Sequence, residues 1–203
     1  KLVYFANPDN PMGSWWDADY VGSIIKSVPE ESLLILDEAY GEFAPEGTLP
    51  PIDVDNCRVI RMRTFSKAYG LAGMRIGYAI GNAGMIAEFN KVRNHFGLSR
   101  LSQIAALEAI KDQQYLKLVQ QQVNNALQRI EQIALANQLN PLPTAANFVT
   151  IDCGRDGDYA VSVMKGLIER GVFVRMPGVT PLNRCIRITA GLSKELDFLE
   201  ETL

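Results

Sequence analysis

Short apolar runs alternate with amphipathic stretches through the first half of the chain. Leu2–Ala6 and Leu33–Asp37 are continuous apolar runs of strand length, the second ending on an acid. Between them, Asp17–Val28 carries Val21, Ile24, Ile25 and Val28 on one helical face, with Asp17 placed to cap its N-terminus. Arg58–Thr64 is alternating and rich in β-formers, Arg75–Gly81 predicts a further strand, and Ala83–Asn94 a helix. Apolar strands in rhythm with helices predict an α/β domain with a mostly parallel sheet.

The texture changes after Leu101. Leu116, Val119, Val123, Leu127, Ile130 and Ile133 recur at spacings of three and four, which predicts a long amphipathic helix with a Gln-, Asn- and Lys-rich outer face. Asn140-Pro141-Leu142-Pro143 breaks it. Strands at Asn147–Cys153, Val172–Met176 and Cys185–Ala190, a helix at Asp158–Arg170 and a last helix from Ser193 make a small α+β unit. The expected division is residues 1–110 for part of a large domain and 111–203 for a bridging helix and a small C-terminal domain.

Composition narrows the function. The 203 residues are 47% hydrophobic, and 20 basic against 23 acidic residues give a net charge of −3. That balance carries no footprint for nucleic acid or an anionic membrane. No apolar run approaches the roughly 18 residues of a membrane span. Three scattered cysteines, Cys57, Cys153 and Cys185, and the single His95 argue against a zinc site or a disulfide framework. Buried free thiols in a reducing compartment, and a structural or substrate-rim role for His95, are expected.

Four stretches hold candidate chemistry. Asn7-Pro8-Asp9-Asn10-Pro11-Met12-Gly13 follows a strand and, alone, reads as a turn. Asp37-Glu38-Ala39-Tyr40 sits at the carboxyl end of an apolar strand, where α/β sheets bind ligands, although a plain surface acid fits equally well. Thr64-Phe65-Ser66-Lys67 through Arg75-Ile76-Gly77-Tyr78 joins two hydroxyls, a lysine, permissive glycines and an arginine. Hydroxyls and a guanidinium suit a phosphate, and the lysine can form a Schiff base with a carbonyl. With an acid for a ring nitrogen, this set describes a site for pyridoxal phosphate. In Cys185-Ile186-Arg187-Ile188-Thr189, an arginine within a strand needs an anion, either an internal acid or a substrate carboxylate.

Together the N-P-x-N-P-x-G, D-E-A-Y and S-K-x-x-G-L-A-G-x-R-x-G-Y elements, in this order, resemble the fold-type-I pyridoxal-phosphate aminotransferases of class I/II, nearest the histidinol-phosphate aminotransferase subgroup. The resemblance runs from Leu2 to the last helix. It implies a partial three-layer large domain with a mostly parallel sheet, plus a small α+β domain. It implies pyridoxal 5'-phosphate as cofactor, small-molecule amino acid and 2-oxo acid as substrates, a homodimer and a cytoplasmic setting, without nucleic acid, membrane or metal. Family members are longer at the N-terminus, so the chain is expected to be a fragment.

The resemblance also implies roles. Lys67 is the imine-forming lysine and proton shuttle. Asp37 pairs with the ring nitrogen, and Asn10 and Tyr40 bond the ring 3-oxygen. Thr64, Ser66 and Arg75 hold the phosphate. Arg187 binds the substrate carboxylate, and Arg175 contacts a substrate phosphate. Met12 stands where the family usually has Thr, and Arg93-Asn94-His95-Phe96-Gly97 and the residues after Arg175 depart from the subgroup pattern. An amino-acid decarboxylase like the threonine-phosphate decarboxylases, and an inactive fragment or binding module, are the alternatives.

Overall fold

The strand-length apolar runs pair in the order in which they occur. The computed structural model describes residues 1–203, and the chain folds as two units, residues 1–9 with 15–120 and residues 10–14 with 121–203. The first holds strands β1 (Leu2–Ala6), β2 (Leu33–Asp37), β3 (Val59–Thr64) and β4 (Gly77–Gly81) in the sheet order β1-β2-β3-β4. β1, β2 and β3 are parallel, and β4 returns antiparallel to β3. The mostly parallel sheet is as expected.

Helix α1 (Ala18–Ser27) joins β1 to β2, and the Asp17 side chain caps it by accepting from the Tyr20 N–H. Its apolar stripe packs with Val3, Phe5, Leu34, Leu36 and Val59, one face of the strands. The other face presents Leu2, Tyr4, Ile35, Asp37 and Thr64, by the same alternation and the pairing register. Helices α2 (Ala83–Val92) and α3 (Arg100–Lys111) follow. Ala106 of α3 packs on Phe65 and Ile76, and the Ser102 hydroxyl donates to the Met74 carbonyl. α3 thereby holds the loop between β3 and β4.

Helix α4 (Gln113–Ala136) contributes residues to both units. In the second, its periodic positions Val123, Leu127, Ile130 and Ile133 enter a core with Val149, Ile151, Ile186 and Ile188. Those belong to β6 (Phe148–Asp152) and β7 (Cys185–Thr189), which with the short β5 (Asn140–Pro141) form an antiparallel sheet, β5-β6-β7. Helices α5 (Gly157–Glu169) and α6 (Ser193–Thr202) complete it. Asn10 belongs to this unit although it follows β1 in sequence. The Thr150 hydroxyl donates to the Pro11 carbonyl and the Ala145 N–H to the Gly13 carbonyl.

Three sequence expectations need correction. Val172–Met176 forms no strand; only Arg175 pairs, through both backbone bonds with Arg187. Arg75 precedes β4 in a left-handed conformation (φ 50°), because a turn of 3-10 helix at Ala72–Met74 intervenes. Cys57 is exposed rather than buried, unlike Cys153 and Cys185.

Beside the cores lies a buried ion cluster. Glu38, fully buried, accepts from Arg61 Nε at 2.9 Å on one carboxylate oxygen and from Arg63 Nε at 2.9 Å on the other. Arg61 Nη2 donates to the same Glu38 oxygen as its Nε, and Nη1 donates to the Pro50 and Pro51 carbonyls. Removing the acid would strand the buried Arg61 charge, so Glu38→Ala should cost about 3–5 kcal/mol. A denaturant midpoint unchanged from wild type would refute this.

The nearby Glu42 carboxylate oxygens are buried without a hydrogen-bond partner. Burial pushes this carboxyl above its ordinary 4.5; Arg63 pulls it down and Glu38 up. Above pH 4.5 the unfolded chain therefore releases this proton first, and the folded state loses stability until its own raised value is passed. Glu42→Gln should be more stable than wild type at pH 7, with the advantage shrinking as the pH falls toward 4.5. Urea unfolding across that range measures it, and an advantage that instead grows toward acid would refute it.

Candidate active site

Adjacent residues at the end of β2 point to opposite faces of the sheet. Glu38 goes to the arginines, and Asp37 faces a cavity of about 280 Å³ at the carboxyl edge of β2 and β3. Thr64, Ser66 and Arg75 line the same cavity, with Met62 and Gly77. Four of the predicted residues are thus brought to one place by β2, β3 and the turn into β4. Gly77 lies against β3 so closely that a Cβ there would sit 2.6 Å from the Arg63 carbonyl oxygen.

The loop after β3 has a defined shape. Thr64 Oγ1 accepts from the Ser66 N–H at 3.0 Å, which leaves its own hydroxyl hydrogen free to donate into the cavity. The Gly70 N–H bonds the Lys67 carbonyl at 3.0 Å, and Gly70 turns the chain with φ 69°, a value that favours glycine. Arg75 is one of two non-glycine residues with positive φ. Backbone strain of this kind collects at functional sites. One Arg75 N–H binds the Ala72 carbonyl; the guanidinium is exposed and joins no ion pair.

Lys67 Nζ stands 5.3 Å from the centroid of the buried Tyr40 ring and is also free of ion pairs. Asp37 Oδ1 accepts from the Ala39 N–H at 2.9 Å, and Oδ2 from the Tyr4 hydroxyl at 2.6 Å. The first asparagine of the N-P-D-N turn is structural: Asn7 is buried and bonds Trp16 and the Thr48 carbonyl.

In the second unit, Arg187 Nη1 donates to Asn10 Oδ1, its guanidinium lies 4.6 Å from the Phe148 ring centroid, and its buried Nε has no acceptor. No carboxylate pairs with it or with Arg175. The internal-acid explanation for Arg187 therefore fails. Arg175 and Arg187 exchange both backbone bonds, at 3.1 and 2.7 Å, so their side chains leave the same face. Like charges opposite each other are unfavourable, and no acid of this chain offsets the pair.

Sequence reading did not find Glu38, Arg61, Arg63 or Tyr4. Glu38 stood in a quoted motif, but only pairing reveals which way each acid faces. His95 is exposed.

This donor set answers an anionic ligand with an amine-reactive centre and a basic ring nitrogen, on an α/β sheet that opens its ligand site at the carboxyl ends of its parallel strands. A family model, aminotransferase class I and II, matches residues 1–199, and the chain belongs to that family. It is similar to the crystal structure of histidinol-phosphate aminotransferase from Sinorhizobium meliloti in complex with pyridoxal-5'-phosphate, with 54% identity, a TM-score of 0.97 and coverage of 100% of this chain and 56% of that one. It is 36% identical over 199 residues to histidinol-phosphate aminotransferase 2 of Pseudomonas fluorescens, covering 96% of this chain and 53% of the relative. L-threonine-O-3-phosphate decarboxylase from Porphyromonas gingivalis shares the fold, with 19% identity, a TM-score of 0.81 and coverage of 99% of this chain and 62% of that one. The chain spans about half the length of the curated relatives it matches.

The thiols lie outside this chemistry. Burial pushes Cys153 up to about 11 and also raises Cys185. A thiol reagent should label Cys57 quickly in the native protein and the other two only on denaturation. Rapid labelling of Cys153 would contradict the burial.

Proposed function

We propose that this chain is part of a pyridoxal-phosphate-dependent aminotransferase that moves an amino group between an amino acid and a 2-oxo acid, with histidinol phosphate or an aromatic amino acid as amino donor. The observation that carries this reading is the convergence of Asp37, Thr64, Ser66 and Arg75 on one cavity, with Lys67 on the same loop. When bound, the cofactor supplies an electrophilic carbonyl carbon and a ring that accepts the electron pair left at Cα. The residues fit it: Arg75 and the two hydroxyls offer donors to a phosphate, and each Asp37 oxygen keeps a lone pair for a ring N–H.

Each residue then has a task. Lys67 takes the proton from substrate Cα and returns one, and the absence of an ion pair leaves its amine free to swing. Asn10 accepts from Arg187 through its carbonyl oxygen, so its amide nitrogen remains to donate, and the ring 3-oxygen is the acceptor proposed for it and for the Tyr40 hydroxyl. Arg187 grips the carboxylate, and Arg175 beside it reads a phosphate or acidic end. A homodimer fits the exposed Leu101, Ile104 and Leu107 along α3. A cytoplasmic setting fits three free cysteines.

The full-length protein mixed with pyridoxal phosphate should turn yellow and change absorbance with its amino donor. Borohydride trapping should label Lys67; a label on Lys91 or Lys26 instead would sink the assignment. Arg187→Ala should lower kcat/KM for every donor, by roughly 2–4 kcal/mol. Arg175→Ala should act selectively on phosphorylated or acidic donors, and equal losses on apolar ones would remove its specificity role.

A further inference from the structure

Tyr4 has a polar task that its place in the sheet does not require. It stands in β1 opposite Ile35, on the face that carries Asp37 two residues further along β2. A diagonal neighbour two positions on is about 7–8 Å away, within reach of an aromatic side chain. The phenol spans that gap and sets its hydroxyl 2.6 Å from Asp37 Oδ2. Ala6, the residue opposite Asp37, is small and leaves room for it.

We propose that Tyr4 is a positioning residue for Asp37, aiming the carboxylate at the ring nitrogen of the bound cofactor; this rests on the reading given above. Two donors on different oxygens fix the rotation of the carboxylate about its Cβ–Cγ bond. The Ala39 N–H holds Oδ1, and the Tyr4 hydroxyl holds Oδ2. One lone pair per oxygen is then left in a defined direction. Without the phenol, Oδ2 is released and the carboxylate can turn toward Arg75, the cation without an ion pair on the rim of the same cavity. Tyr4 is 63% exposed and lies outside the buried core, so the loss of its hydroxyl leaves the packing intact.

The coupling has a signature that needs no turnover. The hydrogen bond to Asp37, with smaller contributions from burial and the carboxylate charge, pushes the Tyr4 phenol up to about 12. In the full-length protein, an NMR titration of tyrosine Cζ should find one signal, absent from Tyr4→Phe, that titrates near that value. In Asp37→Asn it should move back toward the ordinary 10.0. Fluorescence titration with pyridoxal phosphate should show Tyr4→Phe binding about tenfold more weakly, as expected for a lost hydrogen bond to a charged group. In the Asp37→Asn background, the same substitution should change affinity far less.

A Tyr4 signal near 10 in the wild-type protein, or a Tyr4→Phe affinity equal to wild type, would overturn the inference while leaving the proposed function standing. A wild-type protein that binds no pyridoxal phosphate would overturn both, even if the phenol titrates as expected.

Discussion

The Glu38 carboxylate, buried between Arg61 and Arg63, is the contact on which the candidate site depends. A buried charge of this kind is tolerated only when its oxygens are met, and here both are taken by arginines of the neighbouring strand. Burial works against the charge of Arg63, and its bond to Glu38, with a smaller contribution from Tyr78, more than offsets that, so its guanidinium holds its proton more tightly than usual. Strand geometry carries the consequence one residue along. The Glu38 N–H still bonds the Met62 carbonyl, so alternation continues past β2, and with Glu38 inward Asp37 must face the cavity. A slip of one residue in β2 would exchange the two acids and remove the site.

The loop from Thr64 to Gly77 completes that constraint. It leaves β3 and re-enters the sheet as β4, with Gly77 paired to Thr64. Between them it must carry two hydroxyls, a lysine and an arginine to one edge. Tight turns at Gly70 and at Ala72–Met74, and a left-handed Arg75, provide the path. The strain is held by tertiary contacts: Phe65 and Ile76 anchor the two ends, and Ser102 of α3 binds the Met74 carbonyl. A loop over-determined in this way keeps its polar groups in position before any ligand arrives.

The second unit handles charge differently. Arg175 and Arg187 leave one face together, with Asn10 and the Phe148 ring as the only partners of the second guanidinium. Elsewhere in the same unit, Arg129 meets Asp197 and Glu200, and Arg184 meets Asp152. The anion site proposed for this unit rests on that contrast together with the backbone pairing of Arg175 and Arg187.

Much of this was legible in the sequence because it depends on local chemistry. The apolar runs placed β1 and β2 at their observed bounds, and Asp17 capped α1 as its side chain allows. The motif residues Asp37, Thr64, Ser66 and Arg75 share a cavity because strand ends and glycine turns are written in residue type. The tertiary structure decided the rest. Whether Arg187 had an internal acid depended on which side chains surround a strand, and none of the acids does. That Asn7 is structural while Asn10 meets Arg187 depended on packing partners remote in sequence. Val172–Met176 has strand-like residues but lacks neighbours to bond along its length, so propensity lost to pairing. Tyr4 was invisible for the same reason: an aromatic in a strand says nothing of the acid across the sheet until register brings its hydroxyl within 2.6 Å.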